Sequence, residues 1–175
     1  MSAQHPGPPA ASRLPAATLA LTVLVCAGGM ARLTLHVFGL PLPGRIGSDA
    51  GWIWLGLLFA TYTLLLMLTV WVITAITRLT YRLAAADGQI SPLLRGQVYV
   101  VMVVALLCHI GAAWVKIESD HELGVALLIL PLLLAIAHSV SDANLVGPAK
   151  LLAWSPSFLY LIGDAAVIMA LRLQS

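Results

Sequence analysis

The sequence predicts an all-α membrane protein, a polytopic bundle of about five transmembrane helices. Of its 175 residues, 61% are apolar and only 9% are charged, and the mean hydropathy is +0.98. A soluble domain carries roughly 45–50% apolar and about 25% charged residues. The charged side chains are therefore too few to cover a water-facing surface. Several apolar stretches are also long enough to cross a hydrocarbon core of about 30 Å.

Residues 1–14 are rich in Pro, Ala, Ser and Gly and predict a disordered tail. The first span is predicted over 15–37. Its apolar stretch follows a basic residue and ends in small residues, as in a cleaved secretory signal. Val25, which precedes Cys26, fits poorly the small residue of a lipoprotein cleavage site, and the apolar sequence continues to Leu42. We therefore expect a retained helix.

The second span is predicted over 52–77, which contains no charged residue. Tryptophans lie toward its two ends, as is typical of side chains at the membrane–water interface. Turn-forming residues precede it: Pro41, Pro43, Gly44 and Gly47. A polar connection is predicted over 78–95.

The third and fourth spans, predicted over 98–115 and 123–140, flank a short charged turn. The last segment allows two interpretations. Residues 158–171 alone measure about 21 Å as a helix, which is too short to cross. We predict a span over 151–171, kinked by Pro156, with a re-entrant or interfacial helix as the alternative. Residues 15–175 would then form a single transmembrane helical domain.

The distribution of basic residues predicts the orientation, because cytoplasmic loops are enriched in Lys and Arg. If the 78–95 connection is cytoplasmic, five basic residues lie inside and three outside. The inner set is Arg13, Arg78, Arg82, Arg95 and Lys150, and the outer set is Arg45, Lys116 and Arg172. This favours a cytoplasmic N-terminus, and we expect the chain in a bacterial inner membrane.

Ionisable groups within the spans are the candidate functional residues, because each costs free energy in hydrocarbon. Counted from each span's midpoint at 1.5 Å per residue, Arg32 lies roughly 9 Å, His109 roughly 4 Å and Asp164 roughly 4–5 Å to the outer side. The shared layer predicts an Arg–Asp ion pair with a titratable imidazole beside it. Such a cluster indicates a proton relay, a gate or a pocket for an anionic or polar ligand. The alternative is an ion pair that only clamps the helices.

His36 and Lys116 extend the same ligand or ion pathway outward. His36 lies one turn beyond Arg32, and Lys116 lies two turns beyond His109, each on the same helix face. They would line a vestibule open to the outer side. Alternatively, both are interfacial anchors.

His138 and Asp142 are four residues apart, so that the carboxylate could orient the imidazole as beside a bound metal. No third ligand is evident at that depth, and no metal site is predicted. Haem b is an alternative cofactor, since three histidines lie in spans. However, His36, His109 and His138 fall roughly 15 Å outward, 4 Å outward and 10 Å inward, so that no pair matches in depth.

A different alternative comes from the C-terminal part of the chain. Residues 139–168, with Asp142 and the step Gly163-Asp164-Ala165, are similar to the aspartate-bearing C-terminal part of bacterial signal peptidase II. The resemblance implies an intramembrane aspartyl peptidase with Asp142 and Asp164 as catalytic residues. Ser139 and Leu161 stand where that family has asparagines. The predicted topology also separates the two carboxylates, which could then not share a proton.

The interpretation that these observations favour is a transport-type protein or a subunit of a membrane complex, rather than an enzyme. With five spans, the chain is expected to form a homo-oligomer or to join a larger membrane complex. A membrane-embedded peptidase-like or haem protein is the alternative. The basic residues form no patch, so no nucleic-acid partner is expected.

Overall fold

The architecture is that of a helical bundle. The computed structural model describes residues 13–40, 49–85, 90–91, 93–118, 121–143 and 145–173. Over these ranges the chain is all-helical and contains no strand. The helices are α1 Arg13–Val37, α2 Asp49–Ala84, α3 Leu94–Glu118, α4 His121–Ser141 and α5 Pro148–Leu173. Each is long and apolar enough to cross a membrane by length and composition. The predicted fold class is confirmed.

All five helices extend beyond their predicted bounds, α2 by the most. α2 has 36 residues, and Arg78 and Arg82 lie within it rather than in a connection. A helix of that length measures about 54 Å and extends beyond a hydrocarbon core, so its basic end can reach water. α5 is one continuous helix of 26 residues that contains Pro156. Proline removes one backbone donor without ending the helix here, and the last segment is long enough to span.

Consecutive helices run in opposite directions. The hydroxyl of Thr80, near the end of α2, donates to the carbonyl of Ala153, near the start of α5, at 2.8 Å. Ser139, near the end of α4, donates to the carbonyl of Lys150 at 3.1 Å. We call the end of the bundle where α1, α3 and α5 begin, and where α2 and α4 end, the N-terminal end.

The central helix is α3, which packs against all four others. α1 packs against α2 and α3, whereas α5 packs against α2, α3 and α4. Small side chains mediate the close approaches, as in membrane helix packing, where lipid competes for every apolar contact. Fully buried alanines occur on four helices: Ala27, Ala31, Ala105, Ala112, Ala135 and Ala153.

The outer surface of the bundle is apolar. Only 6% of the most apolar part of α2 is buried, and Leu64, Trp71 and Leu83 expose about seven-tenths of their side chains. Large apolar side chains exposed in this way would be costly in water. In hydrocarbon they are not, and this surface is compatible with a polytopic membrane protein.

Candidate functional site

The candidate site is formed by α3 and α5, which run in the same direction. His109 lies 15 residues after Leu94, and Asp164 lies 16 residues after Pro148, so that the two reach the same height. Both helices start at the N-terminal end and rise about 1.5 Å per residue, which places the pair roughly 23 Å from that end. The two side chains thus meet about midway along the bundle.

Nδ1 of His109 contacts Oδ2 of Asp164 directly. When the imidazole is neutral, Nδ1–H donates a hydrogen bond to the carboxylate, and when it is protonated the contact becomes an ion pair. The structure thus brings together two of the three residues of the predicted layer. We refer to them as the His109–Asp164 pair.

The second ring nitrogen of His109 is the unusual feature of the pair. His109 is only 6% exposed, and its Nε2 is buried with no hydrogen-bond partner among the described residues. With Nδ1–H directed at the carboxylate, Nε2 carries a lone pair. This nitrogen is able to accept a proton without breaking the contact to Asp164. The pair is thus chemically suited to proton uptake.

Asp164 has a different environment from His109. Its side chain is 34% exposed at the bundle surface, against 7% for the imidazole. Next to it, Gly163 is exposed, and an added Cβ there would meet no atom within 4 Å. A carboxylate that reaches the lipid side of a bundle at mid-depth is costly. This surface is therefore one that a water-filled path or another polypeptide would stabilise.

Arg32 is not part of this cluster. It is exposed on α1 and lines a groove of about 580 Å³ with Trp52, Gly56 and Phe59 of α2. Within the described ranges no ion pair joins it to Asp164. The predicted Arg32–Asp164 ion pair is thus not seen there, because the residue rise predicts only height. It does not predict the side of the bundle, and α1 packs on α2 and α3.

The proposed vestibule residues are only partly described. His36 is exposed in the last turn of α1. Lys116 lies in α3, two turns beyond His109, but its side chain is outside the described residues. The outward pathway through these residues stays a prediction.

His138 and Asp142 lie at the N-terminal end of the bundle. Nδ1 of His138 donates to the carbonyl of Leu134 at 3.0 Å, and the ring lies 6.1 Å from that of Trp154. The imidazole is thus oriented by its own helix. Over the described ranges, no three His, Cys, Asp or Glu side chains are close enough together to hold a metal ion.

The residues of the other two alternatives are not brought together. Asp142 follows the end of α4, whereas Asp164 lies about 24 Å along α5 from its start. The two carboxylates therefore form no catalytic pair. The three histidines of the haem hypothesis lie at the end of α1, midway along α3 and near the end of α4. They thus lie at three different heights along the bundle.

Two arginines that the sequence assigned to a connection also line a groove. Arg78 and Arg95 lie at the N-terminal end of a groove between α1, α2 and α3. We did not predict this arrangement from the sequence, because a loop separates the two residues. A basic residue at each end of a connection between two antiparallel spans nevertheless indicates that the two lie at the same end of the bundle.

Comparisons with protein-family models, with curated proteins and with solved structures find no match to this chain. A function is therefore inferred from the residues of this chain alone.

Proposed function

We propose that this chain is a subunit of a transport-type membrane complex, in which the His109–Asp164 pair takes up and releases a proton within the bilayer. One observation carries the proposal. A buried imidazole is held through Nδ1 by a carboxylate about midway along two apolar helices, while its Nε2 has no partner in the described part of the chain. A structural clamp would not need a titratable group with an unused nitrogen.

The chemistry follows from the charge of the pair. With neutral His109 and ionised Asp164, the pair carries one negative charge, which is expensive in hydrocarbon. Protonation of Nε2 gives imidazolium and carboxylate, whose charges cancel. Alternatively, a proton on the carboxylate also leaves the pair neutral. The pair is thus neutral in either protonated form, and release of the proton requires access to water.

The exposure of Asp164 supports assembly with other polypeptides. A carboxylate that is one-third exposed at mid-depth needs a partner or water on its outer side. Gly163 beside it leaves room for a neighbouring helix to approach closely, as small residues do in membrane interfaces. A second copy of this chain or a larger subunit would cover the carboxylate and complete a path for the proton.

The proposal includes the orientation of the bundle in the membrane. The basic residues at the N-terminal end of the bundle, among them Arg78, Arg82 and Arg95, favour a cytoplasmic location of that end in a bacterial inner membrane. His36 and Lys116 would then lie toward the outer side, beyond the pair. A proton would cross the outer half of the bilayer along α1 and α3.

The test is proton flux into liposomes that contain the purified protein, or its intact complex, driven by a potassium diffusion potential and followed with an enclosed pH-sensitive dye. We expect Asp164→Asn and His109→Gln each to reduce the flux by about a hundredfold, the usual contribution of a positioned proton-transfer group. Asp142→Asn is the control, because it removes another buried carboxylate that lies away from the pair.

Thermal unfolding of each variant is measured in parallel, and flux is compared per folded protein. Equal flux from all three variants would contradict the proton-handling role of the pair. A loss with Asp142→Asn as large as that with Asp164→Asn would also contradict it.

A further inference from the structure

A groove opens between α1, α2 and α3 at the N-terminal end of the bundle, separate from the His109–Asp164 pair. Its volume is about 310 Å³, at the lower end of the range of about 300–1,000 Å³ for ligand sites. Its length is lined by apolar side chains: Ala16, Ala20 and Val23 from α1, and Met67 and Trp71 from α2. Most of this lining would face hydrocarbon if the helices span a membrane.

Two guanidinium groups lie at the end of the groove that is nearest the water. They belong to Arg78 on α2 and Arg95 on α3. Nε of Arg95 donates to the hydroxyl of Tyr99 at 2.9 Å, and its guanidinium carbon lies 5.3 Å from the centre of that ring. Tyr99 also lines the groove, so it holds the Arg95 guanidinium beside it.

Neither arginine has a carboxylate partner in the described part of the chain, where the one ion pair is that of His109 and Asp164. Two unneutralised guanidinium groups at one site attract an anion, and guanidinium binds phosphate oxygens with paired N–H donors. The charge at this end of the groove is thus complementary to a phosphate group.

Thr74 adds a further polar group to the lining of the groove. It lies between the arginines and the apolar part of the groove. Three other threonines of α2 donate to a carbonyl four residues earlier, for example Thr69 to Leu65. Thr74 is 7% exposed, and its hydroxyl has no hydrogen-bond partner among the described residues. Rotation about its χ1 would offer a donor to an oxygen atom in the groove.

We propose that this groove binds an anionic phospholipid. Arg78 and Arg95 hold the phosphate of the headgroup, and an acyl chain lies along Ala20 and Val23 of α1 and Trp71 of α2. The combination of a cationic end and an apolar length matches the two halves of such a lipid. A free phosphate would use only the cationic end and would leave the apolar walls without a role.

The experiment is native mass spectrometry of the full chain in mild detergent, titrated with phosphatidylglycerol, with phosphatidylcholine, or with inorganic phosphate. We expect one phosphatidylglycerol to be retained and phosphatidylcholine to be lost. Arg78→Gln with Arg95→Gln should weaken phosphatidylglycerol binding by about 30-fold, since each basic residue near a membrane surface contributes roughly 1 kcal/mol.

Arg82→Gln is the matched control, because Arg82 lies one turn further along α2 and does not line this groove. We expect this variant to retain phosphatidylglycerol within about twofold of the wild type. Ala20→Leu keeps both arginines and fills the groove, so it should weaken lipid binding in a protein whose charge is unchanged. It also distinguishes loss of the site from general misfolding, since an exposed Ala on α1 tolerates Leu.

Equal retention of phosphatidylcholine would overturn the proposal, as would an equal loss with Arg82→Gln. Competition by inorganic phosphate at the same concentration as the lipid would indicate an anion site without an acyl-chain groove and would overturn it as well. The proposal would also be overturned if the Ala20→Leu variant retained as much phosphatidylglycerol as the wild type.

Discussion

The imidazole of His109 and the carboxylate of Asp164 illustrate how ionisable groups are tolerated in a membrane. An ionised carboxylate at the centre of a span costs about 2.5–3.5 kcal/mol on insertion scales. Direct contact with Nδ1 of His109 provides the carboxylate with a donor that lipid does not offer. The pair therefore stabilises the packing of α5 on α3, whether or not it carries a proton.

The first prediction at this scale is a double-mutant cycle. His109→Leu leaves the carboxylate without its donor and is expected to lower the free energy of unfolding by about 3 kcal/mol. Asp164→Leu removes the costly group itself and should cost less. The double variant should recover at least about 1 kcal/mol relative to the sum of the two single effects. Reversible unfolding in mixed detergent micelles measures all three.

Arg32 supplies the control for that cycle. Arg32→Leu with Asp164→Leu should give the simple sum of the single effects, because the two side chains form no ion pair within the described residues. A coupling as large as that of the His109–Asp164 pair would show that Arg32 reaches the carboxylate after all. Additivity of His109→Leu and Asp164→Leu would show that their contact contributes nothing.

At the scale of the helices, polar side chains fasten α2 to α5 near the N-terminal end. Thr77 and Ser157 share a buried hydrogen bond of 3.2 Å, and Thr80 donates to the carbonyl of Ala153. Trp154 is fully buried beside them. Where lipid competes for apolar contacts, such hydrogen bonds specify which helices pair and in which register.

The prediction at this scale concerns the hydroxyl of Thr80. Thr80→Val removes the bond to the Ala153 carbonyl and leaves that carbonyl with one acceptor site unused, so we expect a loss of about 0.6–1.7 kcal/mol in the free energy of unfolding. Thr69→Val is the control, because Thr69 is exposed and donates only within its own helix. Equal losses in the two variants would indicate that the bond between α2 and α5 contributes no stability.

At the scale of the whole molecule, one side of the bundle combines two features. Asp164 is one-third exposed there, and Gly163 leaves open space beside it. This side is the one on which assembly with another polypeptide would cover the carboxylate. The proposed complex therefore predicts an interface on this side.

Gly163→Leu tests that interface. Apart from its chain neighbours and its own helix backbone, no described atom lies within 4 Å of a Cβ at Gly163, so the isolated bundle accommodates the larger side chain. In a packed interface the same side chain would separate the helices. We expect the assembled form to weaken by at least tenfold, as a packing change of about 1.4 kcal/mol would produce. Analytical ultracentrifugation in matched detergent measures the assembly.

Gly56→Leu is the corresponding control on α2, since Gly56 is also exposed and has no atom near an added Cβ. It should leave assembly unchanged. If Gly163→Leu assembles as well as Gly56→Leu, the side around Asp164 is not an interface. A monomeric wild type in nanodiscs would lead to the same conclusion.

The sequence by itself determined the fold class, the five helices and the heights of their polar groups. Composition and apolar length decide whether a segment prefers lipid, and a constant rise converts residue number into depth. For that reason His109 and Asp164 were expected at one level before any coordinates. The ends of α2 were less predictable, because arginines are tolerated within a helix that extends into water.

Only the tertiary structure decided which groups of equal depth are neighbours. A helix may rotate about its axis and take any place in a bundle without a change in the depth of its residues. The packing of α1 on α2 and α3 thus separates Arg32 from Asp164. It also forms the groove that Arg78 and Arg95 share, although a loop separates them in sequence. Neighbourhood is set by contacts among buried side chains of different helices, and no single segment contains that information.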